Sequence, residues 1–394
     1  MGSKLFKDLN VSGKRVLVRV DFNVSVDKKT NEIKDDTRIV AALPTINALV
    51  EKGAKVVLCS HFGRPEGRDP KMSLKAVSDR LAKHLGKPVV FAEDCVGEAA
   101  EKAVASLKNG DVALLENLRY HAGEEDDDAA FCKQLAKLGD VYVNDAFGAA
   151  HRAHASVHGV AALFTEKAAG LLLQKEIDYL GKALSSPDHP YVVVLGGAKV
   201  SDKIKVIKKM LEVADTVLIG GAMAYPFLLA QGKPVGKSKV DHEDVPLAKE
   251  ILELVAKEKK NFILPLDHVV AEKFEANAPN EVVEWDKIPE GKMALDVGPK
   301  TVAAYTAAIA SAKMVVWNGP LGVFELEPFN KGTFAIAHAI AENSKATTIV
   351  GGGESVAAVK KAKVSDKITH VSTGGGASLE FLEGKVLPGV KALS

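Results

Sequence analysis

Cysteine is scarce in this chain. Cys59, Cys95 and Cys132 are the only three in 394 residues, with no Cys-x-x-Cys and no pairing pattern. That excludes a disulfide scaffold and a spaced zinc motif, and it points to a reducing, cytoplasmic setting. An excess of one charge is missing as well: 52 Lys and Arg face 51 Asp and Glu. No overall field therefore draws in nucleic acid or an anionic membrane, and neither is expected as a partner. No apolar run approaches the roughly 20 residues that span a bilayer. The opening Met1-Gly-Ser-Lys-Leu-Phe6 meets Lys7 and Asp8 before any apolar stretch, unlike a secretory signal, and Phe6 breaks the myristoylation pattern. The sequons at Asn10 and Asn23 are then read as chance matches. The one sizeable run of like charge, Glu124 to Asp128, reads as the solvated first turn of a helix.

What is present is an ordinary globular composition, 47% hydrophobic and 26% charged, in a chain long enough for two domains. Short β-branched runs alternate with segments of helical period, which predicts parallel sheets with crossover helices. In the first half the strands are expected at Arg15 to Val20, Lys55 to Cys59, Pro88 to Phe91, Asp111 to Leu115 and Asp140 to Val143. In the second half they are expected at Tyr191 to Leu195, Thr216 to Ile219, Phe262 to Leu264, Met314 to Trp317, Thr347 to Val350 and Thr369 to Ser372. Between the halves, Glu166 to Ser186 reads as one connecting helix with Leu171, Leu172, Ile177 and Leu180 on its apolar stripe, ended before Pro187.

Ligands of open α/β sheets bind beyond the carboxyl ends of the strands. In the first half those positions carry Asp21, Asn23, His61, Arg64, Asn117, Arg119, Asn144, Asp145, His151, Arg152 and His154. In the second half they carry Gly196-Gly197, Gly220-Gly221, Asn318-Gly319, Gly351 to Gly353 and Gly374 to Gly376. The first edge is basic and hydrogen-bonding. The second lets backbone approach a ligand closely and turns helix N-termini toward phosphates. The contrast predicts a small anion on one domain and a nucleotide on the other. Gly232-Lys-Pro-Val-Gly-Lys-Ser238 imitates a P-loop with one residue too few between its glycines and reads as a plain loop. A dinucleotide fingerprint, a nucleophile elbow and a His-Glu-x-x-His are all missing, which disfavours dehydrogenase, hydrolase and metalloprotease readings.

Seven segments then carry a family resemblance: Arg19-Val-Asp-Phe-Asn-Val24, Ser60-His-Phe-Gly-Arg-Pro65, Glu116-Asn-Leu-Arg-Tyr120, Asn144-Asp-Ala-Phe147 with Ala150-His-Arg-Ala-His-Ala-Ser156, Gly196-Gly-Ala-Lys-Val200, Trp317-Asn-Gly-Pro320 and Ser372-Thr-Gly-Gly-Gly-Ala377. In this order they resemble the phosphoglycerate kinases. The resemblance implies two doubly wound, Rossmann-like parallel-sheet domains that bend about a hinge. It gives 1–170 to 3-phosphoglycerate, 171–187 to an interdomain helix, 188–376 to the nucleotide, and 377–394 to a tail returning toward the first domain. It implies Mg2+-dependent phosphoryl transfer between 1,3-bisphosphoglycerate and ADP, giving 3-phosphoglycerate and ATP in glycolysis, by a cytoplasmic monomer.

By matching motif, Asp21, Asn23, Arg38, His61, Phe62, Gly63, Arg64, Arg119 and Arg152 would hold the acid. For His61 and His154, direct contact and ordinary hydrogen bonding both stay open. Gly196, Gly197, Lys199, Lys203, Gly220, Ala294, Asn318, Gly319, Val323, Glu325, Gly351, Gly352, Gly353, Glu354 and Ser355 would hold the nucleotide. Lys199 and Lys203, four apart at a helix start, are expected to face the phosphates together. Arg38, Lys199, Lys203 and Gly375 would be catalytic, and Glu354 would ligate the metal. Three positions depart from the family's usual pattern: Ser25 stands for Pro, Ala294 for Gly, and Glu354 for the Asp that holds magnesium. The competing reading is a nucleotide-binding protein of the same fold without turnover.

Overall fold

The computed structural model describes residues 6–27, 29–30 and 32–394. Met1 to Leu5, on which much of the N-terminal reading rests, lie outside the described residues. The chain divides into two units, one of residues 1–178 with 386–394, the other of residues 179–385.

The first unit is built on a six-stranded, all-parallel sheet in the order Val89–Ala92, Val112–Leu115, Lys55–Cys59, Arg15–Arg19, Val141–Asn144, Lys167–Ala169. Val16, Leu17 and Val18 are all fully buried. A strand covered on both faces needs this unbroken apolar run rather than alternation. Arg19 pairs in register with Cys59 on one side and Asn144 on the other, so the loops after three central strands open on one edge. Ile39, Ile46 and Leu49 of the helix Thr37–Glu51 pack into the core below it.

Two expectations need correction here. Glu166 to Ser186 is not one helix: Lys167–Ala169 adds an edge strand, and the helix runs Leu171–Ser185. Gly170 makes the junction, its N–H bonded to Asn144 O at 2.8 Å, and a Cβ there would sit 2.2 Å from Asp145 Oδ1. That oxygen already accepts from the N–H groups of Leu172 (2.9 Å) and Leu173 (3.2 Å), so a carboxylate from a neighbouring strand caps the helix. The acidic run is not solvated throughout either. Asp128 caps the helix Ala129–Ala136 through Phe131 N–H, but Glu124 is completely buried.

The second unit carries a six-stranded parallel sheet in the order Asn261–Ile263, Thr216–Ile219, Tyr191–Leu195, Met314–Asn318, Thr347–Gly351, His370–Val371. The chain winds outward from Tyr191–Leu195, returns, and winds out the other way from Met314–Asn318. Its switch point lies between those two strands. An antiparallel sheet of Asn280–Glu284, Asp267–Ala271 and Met293–Val297, unanticipated from the sequence, follows the third strand. Asn280–Glu284 is mostly exposed, so it lacks the apolar run that marks the parallel strands. The helix Gly376–Leu382 belongs to this unit, whereas Gly389, beyond it, bonds Ala150 O in the first (2.9 Å). Among the described residues no helix is long and apolar enough to cross a membrane.

Candidate active site

On the first unit the strand ends knit one hydrogen-bonded edge. The Asp21 carboxylate follows Arg15–Arg19 and pairs with Arg38 Nη1 from the first turn of Thr37–Glu51. Asp21 Oδ1 also accepts from Asn23 N–H (3.1 Å), and Asn23 Oδ1 accepts from Gly63 N–H (2.9 Å). Asn117 joins the next loop: its Oδ1 accepts from Phe62 N–H (3.0 Å) and Arg119 N–H (3.1 Å). Arg119 Nη1 then donates to Gly63 O at 2.7 Å, and its Nε lies 3.3 Å from Glu125 Oε1. Asp21, Asn23, Arg38, Phe62, Gly63 and Arg119 are thus brought together. Phe62 is buried and offers the edge its backbone. Arg64 and Arg152 are exposed, with no hydrogen-bonding or ion-pair partner for the guanidinium among the described residues.

The electrostatics rest on a residue that the sequence reading quoted but did not assign. Arg19 is 1% exposed. It donates through Nε to Ser156 Oγ (2.7 Å), and its Nη2 lies 3.1 Å from His61 Nδ1. Ser156 Oγ in turn donates to Glu124 Oε1 (2.6 Å), while its N–H donates to Oε2 (2.9 Å). Arginine only donates, so His61 Nδ1 must accept, and the ring proton sits on Nε2. Burial, then Arg19, Arg119 and Arg38, against Asp21, push the imidazole down to about 3. His61 is therefore neutral near pH 7. Burial pulls the Asp21 carboxyl up, but Arg38, His61 and Arg19 outweigh it and hold it below the usual carboxylate range. Burial, helped by Arg119, holds His154 below the usual imidazole range. The available signal for Arg19 was a charge closing the run Val-Leu-Val of a buried strand.

On the second unit the glycine turns converge at the switch point. Lys203 precedes the helix Ile204–Val213, and its Nζ donates to Gly196 O at 2.6 Å and Asn318 O at 2.9 Å. Burial pulls this ammonium down to about 8, with Glu354 and Asp202 opposing. A charged lysine has three donors, so one stays free for a ligand. Gly319 shows why glycine is needed: φ is +98°, and a Cβ would lie 2.2 Å from Gly196 O and 2.5 Å from Lys203 Nζ. Gly319 N–H donates to Ser355 Oγ, which buries that serine under the turn. Gly196 N–H reaches Asn318 O (3.0 Å), Gly197 N–H reaches Pro320 O (3.0 Å), and Gly220 N–H reaches Leu195 O (2.9 Å). Gly351 pairs in register with Asn318, and Gly352 precedes the helix that Gly353 begins.

Lys199 is not brought to this point with Lys203. It is exposed and paired with Asp241 Oδ2 at 2.9 Å, which raises its ammonium. Ala294 is buried beside Tyr225 and Val270, its N–H bonded to Ser238 Oγ (2.9 Å) from the loop that imitates a P-loop. Val323 N–H donates to the carbonyl of Leu295, the residue after Ala294 (2.8 Å), and Glu325, two residues past Val323, is exposed. Ala294 thus lies on the antiparallel sheet and Val323 against it, while no hydrogen bond or ion pair links Glu325 to either among the described residues. Gly375 precedes the helix Gly376–Leu382 with φ +52°. Glu354, in the first turn of Gly353–Lys361, has an exposed carboxylate with no hydrogen-bonding or ion-pair partner among the described residues. An uncommitted carboxylate beside a glycine turn fits a hard, oxygen-seeking cation such as Mg2+.

A basic, prewired edge on one parallel sheet and an enclosed lysine at the switch point of the other define the class: a phosphotransferase. A family model described as "Phosphoglycerate kinase" matches residues 6–385. Phosphoglycerate kinases of Koribacter versatilis and Moorella thermoacetica are 56% and 55% identical, each over 100% of this chain and over 99% and 100% of theirs. The solved structure of phosphoglycerate kinase from Coxiella burnetii superposes with a TM-score of 0.90 at 40% identity, covering 100% of this chain and 99% of that one. The chain belongs to the phosphoglycerate kinase family.

Proposed function

We propose that this enzyme reversibly transfers a phosphoryl group between 1,3-bisphosphoglycerate and MgADP, forming 3-phosphoglycerate and MgATP, as a step of glycolysis. Family membership across residues 6–385 carries the reading. The unpartnered Arg64 and Arg152, together with Arg38 and Arg119 on the same unit, support a doubly anionic acid on the first unit, since guanidinium forks grip phosphate and carboxylate in two-point contact. The glycine turns around Lys203 support the nucleotide on the second.

In the direction of ATP use, an oxygen of the 3-phosphoglycerate carboxylate attacks the γ-phosphorus. The bond from that phosphorus to the bridging oxygen breaks, and its electron pair stays on the β-phosphate of ADP. The nucleophile is already ionised, so no general base is required, and catalysis is alignment plus charge stabilisation. Arg38, oriented by Asp21, meets the phosphoryl from the acid side, and Lys203 meets it from the nucleotide side. Lys199 would join it by exchanging Asp241 for phosphate. The N–H groups of Gly374 to Gly376 add donors. Neutral His61 offers one N–H and no charge, which suits an orienting group. Glu354 would hold Mg2+, which when bound offsets negative charge on the phosphate oxygens. Acceptor and donor are assigned to separate units, so turnover requires the two to be aligned with water excluded. Three buried free cysteines support a cytoplasmic setting, and we read the working form as a monomer.

The test is ATP consumption in a coupled assay with 3-phosphoglycerate, with and without Mg2+. Turnover dependent on both is expected. Nucleotide binding by folded protein without turnover would favour the non-catalytic reading instead.

A further inference from the structure

The loop after Val89–Ala92 carries Asp94 and Cys95, and the residue after the short turn Leu118–Tyr120 is His121. A carboxylate oxygen of Asp94, Cys95 Sγ and a ring nitrogen of His121 all lie within 4.8 Å of one another. No sequence motif marks this cluster, because Asp94 and His121 are 27 residues apart and the cysteine stands alone. His121 Nε2 and Asp94 Oδ1 are hydrogen-bonded at 2.6 Å. Cys95 is completely buried, yet its sulfur has no hydrogen-bond partner among the described residues.

We propose that Asp94, Cys95 and His121 form a binding site for one thiophilic divalent cation of the zinc class, separate from any magnesium that accompanies a nucleotide. The donor set is one sulfur, one imidazole nitrogen and one carboxylate oxygen. That mixture selects Zn2+, Co2+ or Cd2+ over Mg2+, which prefers oxygen alone. Bond lengths near 2.0–2.3 Å place tetrahedral zinc ligands roughly 3.3–3.7 Å apart, so the Asp94–His121 pair must open and the remaining ligands close in by up to about 1 Å to take the metal. The fourth position is left to water. Two of the three ligands border open clefts. Asp94 lines a cleft of about 380 Å³ with Glu93 and Glu116, and His121 lines one of about 400 Å³ with Asp126 and Asp128. Arg68, 3.7 Å from Asp94, is the opposing charge. Burial, with Asp94 and Glu124, holds the thiol well above its usual range, so without metal Cys95 is a neutral and inert thiol. Binding releases the thiol proton to solvent, and His121 ligates through Nε2 as the neutral imidazole, its one N–H then on Nδ1.

Titrating Co2+ into reduced, metal-stripped, nucleotide-free full chain tests this. A single equivalent should bind with a sulfur-to-cobalt charge-transfer band in the near ultraviolet. Zn2+ should bleach the band and excess Mg2+ should not. Cys95→Ser should abolish the band, Cys132→Ala should leave it, and His121→Gln should weaken Co2+ binding about tenfold or more. His121 is partly exposed, so its variant keeps the test decisive if Cys95→Ser misfolds. No band at saturating Co2+, a band that survives Cys95→Ser, or an affinity unmoved by His121→Gln would overturn the proposal.

Discussion

Replacing Lys203 by methionine should damage activity without damaging the fold. The ammonium falls from 10.5 to about 8 on folding, chiefly through burial. At 1.36 kcal/mol per unit, neutral-pH folding therefore carries a penalty of about 3 kcal/mol, or about 2 after a discount for a side chain that is part-buried rather than fully enclosed. Methionine removes that penalty and fills much the same volume. Against the gain, Gly196 O loses its lysine donor, worth about 1–3 kcal/mol, whereas Asn318 O keeps Gly196 N–H. The two nearly cancel, so at pH 7 the second unit should change by no more than about 1 kcal/mol. The pH dependence gives the sign. Between the folded value near 8 and the unfolded 10.5, the unfolded chain binds a proton that the folded chain has lost, so wild-type stability rises with pH. Lys203→Met lacks that rise and should fall behind wild type toward pH 10. Trp285 and Trp317 both lie in the second unit, so tryptophan fluorescence in urea reports on it. Turnover should drop roughly 10²–10³-fold, as for loss of one preorganised donor to developing charge. A variant several kcal/mol less stable at pH 7, or a gap that does not move by pH 10, would refute this account of the lysine.

Three further outcomes are expected. Arg38→Ala should cut the turnover number roughly 10³-fold or more with an unchanged circular dichroism spectrum, by analogy with an arginine finger; an unaltered turnover number removes Arg38 from catalysis. Arg19→Met strands Glu124 in the core and should destabilise the first unit by about 3–5 kcal/mol. Burial already raises that carboxyl against Arg19, so the folded variant holds a proton that the unfolded chain gives up, and the loss in urea titrations should be larger at pH 8 than at pH 5. Glu354→Gln should raise the Mg2+ concentration giving half-maximal rate, since a neutral amide is a poorer ligand for a hard cation; an unmoved midpoint in a Mg2+ titration assigns the metal to nucleotide and water alone.

Local information was enough for much of this protein. The parallel strands could be read because a strand buried on both faces must be apolar along its length, as Tyr191–Leu195 is. The turns could be read because residues such as Asn23, Arg64 and Gly319 follow directly on those strands, and the carboxyl edge is where such folds bind. Only the tertiary structure separated Lys203 from Lys199. Both are lysines in one glycine turn, but one reaches the carbonyls of Gly196 and Asn318, the latter 115 residues away, while the other meets Asp241. The same holds for Glu124, which its neighbours mark as surface and which Ser156, 32 residues on, makes core. Asp145 capping a helix from another strand, and Cys95 beside His121, are of this kind too. Composition and period are properties of a segment. The charge state of a lysine, the tautomer of His61 and the burial of a glutamate depend on what long-range packing brings within about 3 Å, and sequence spacing does not encode that distance.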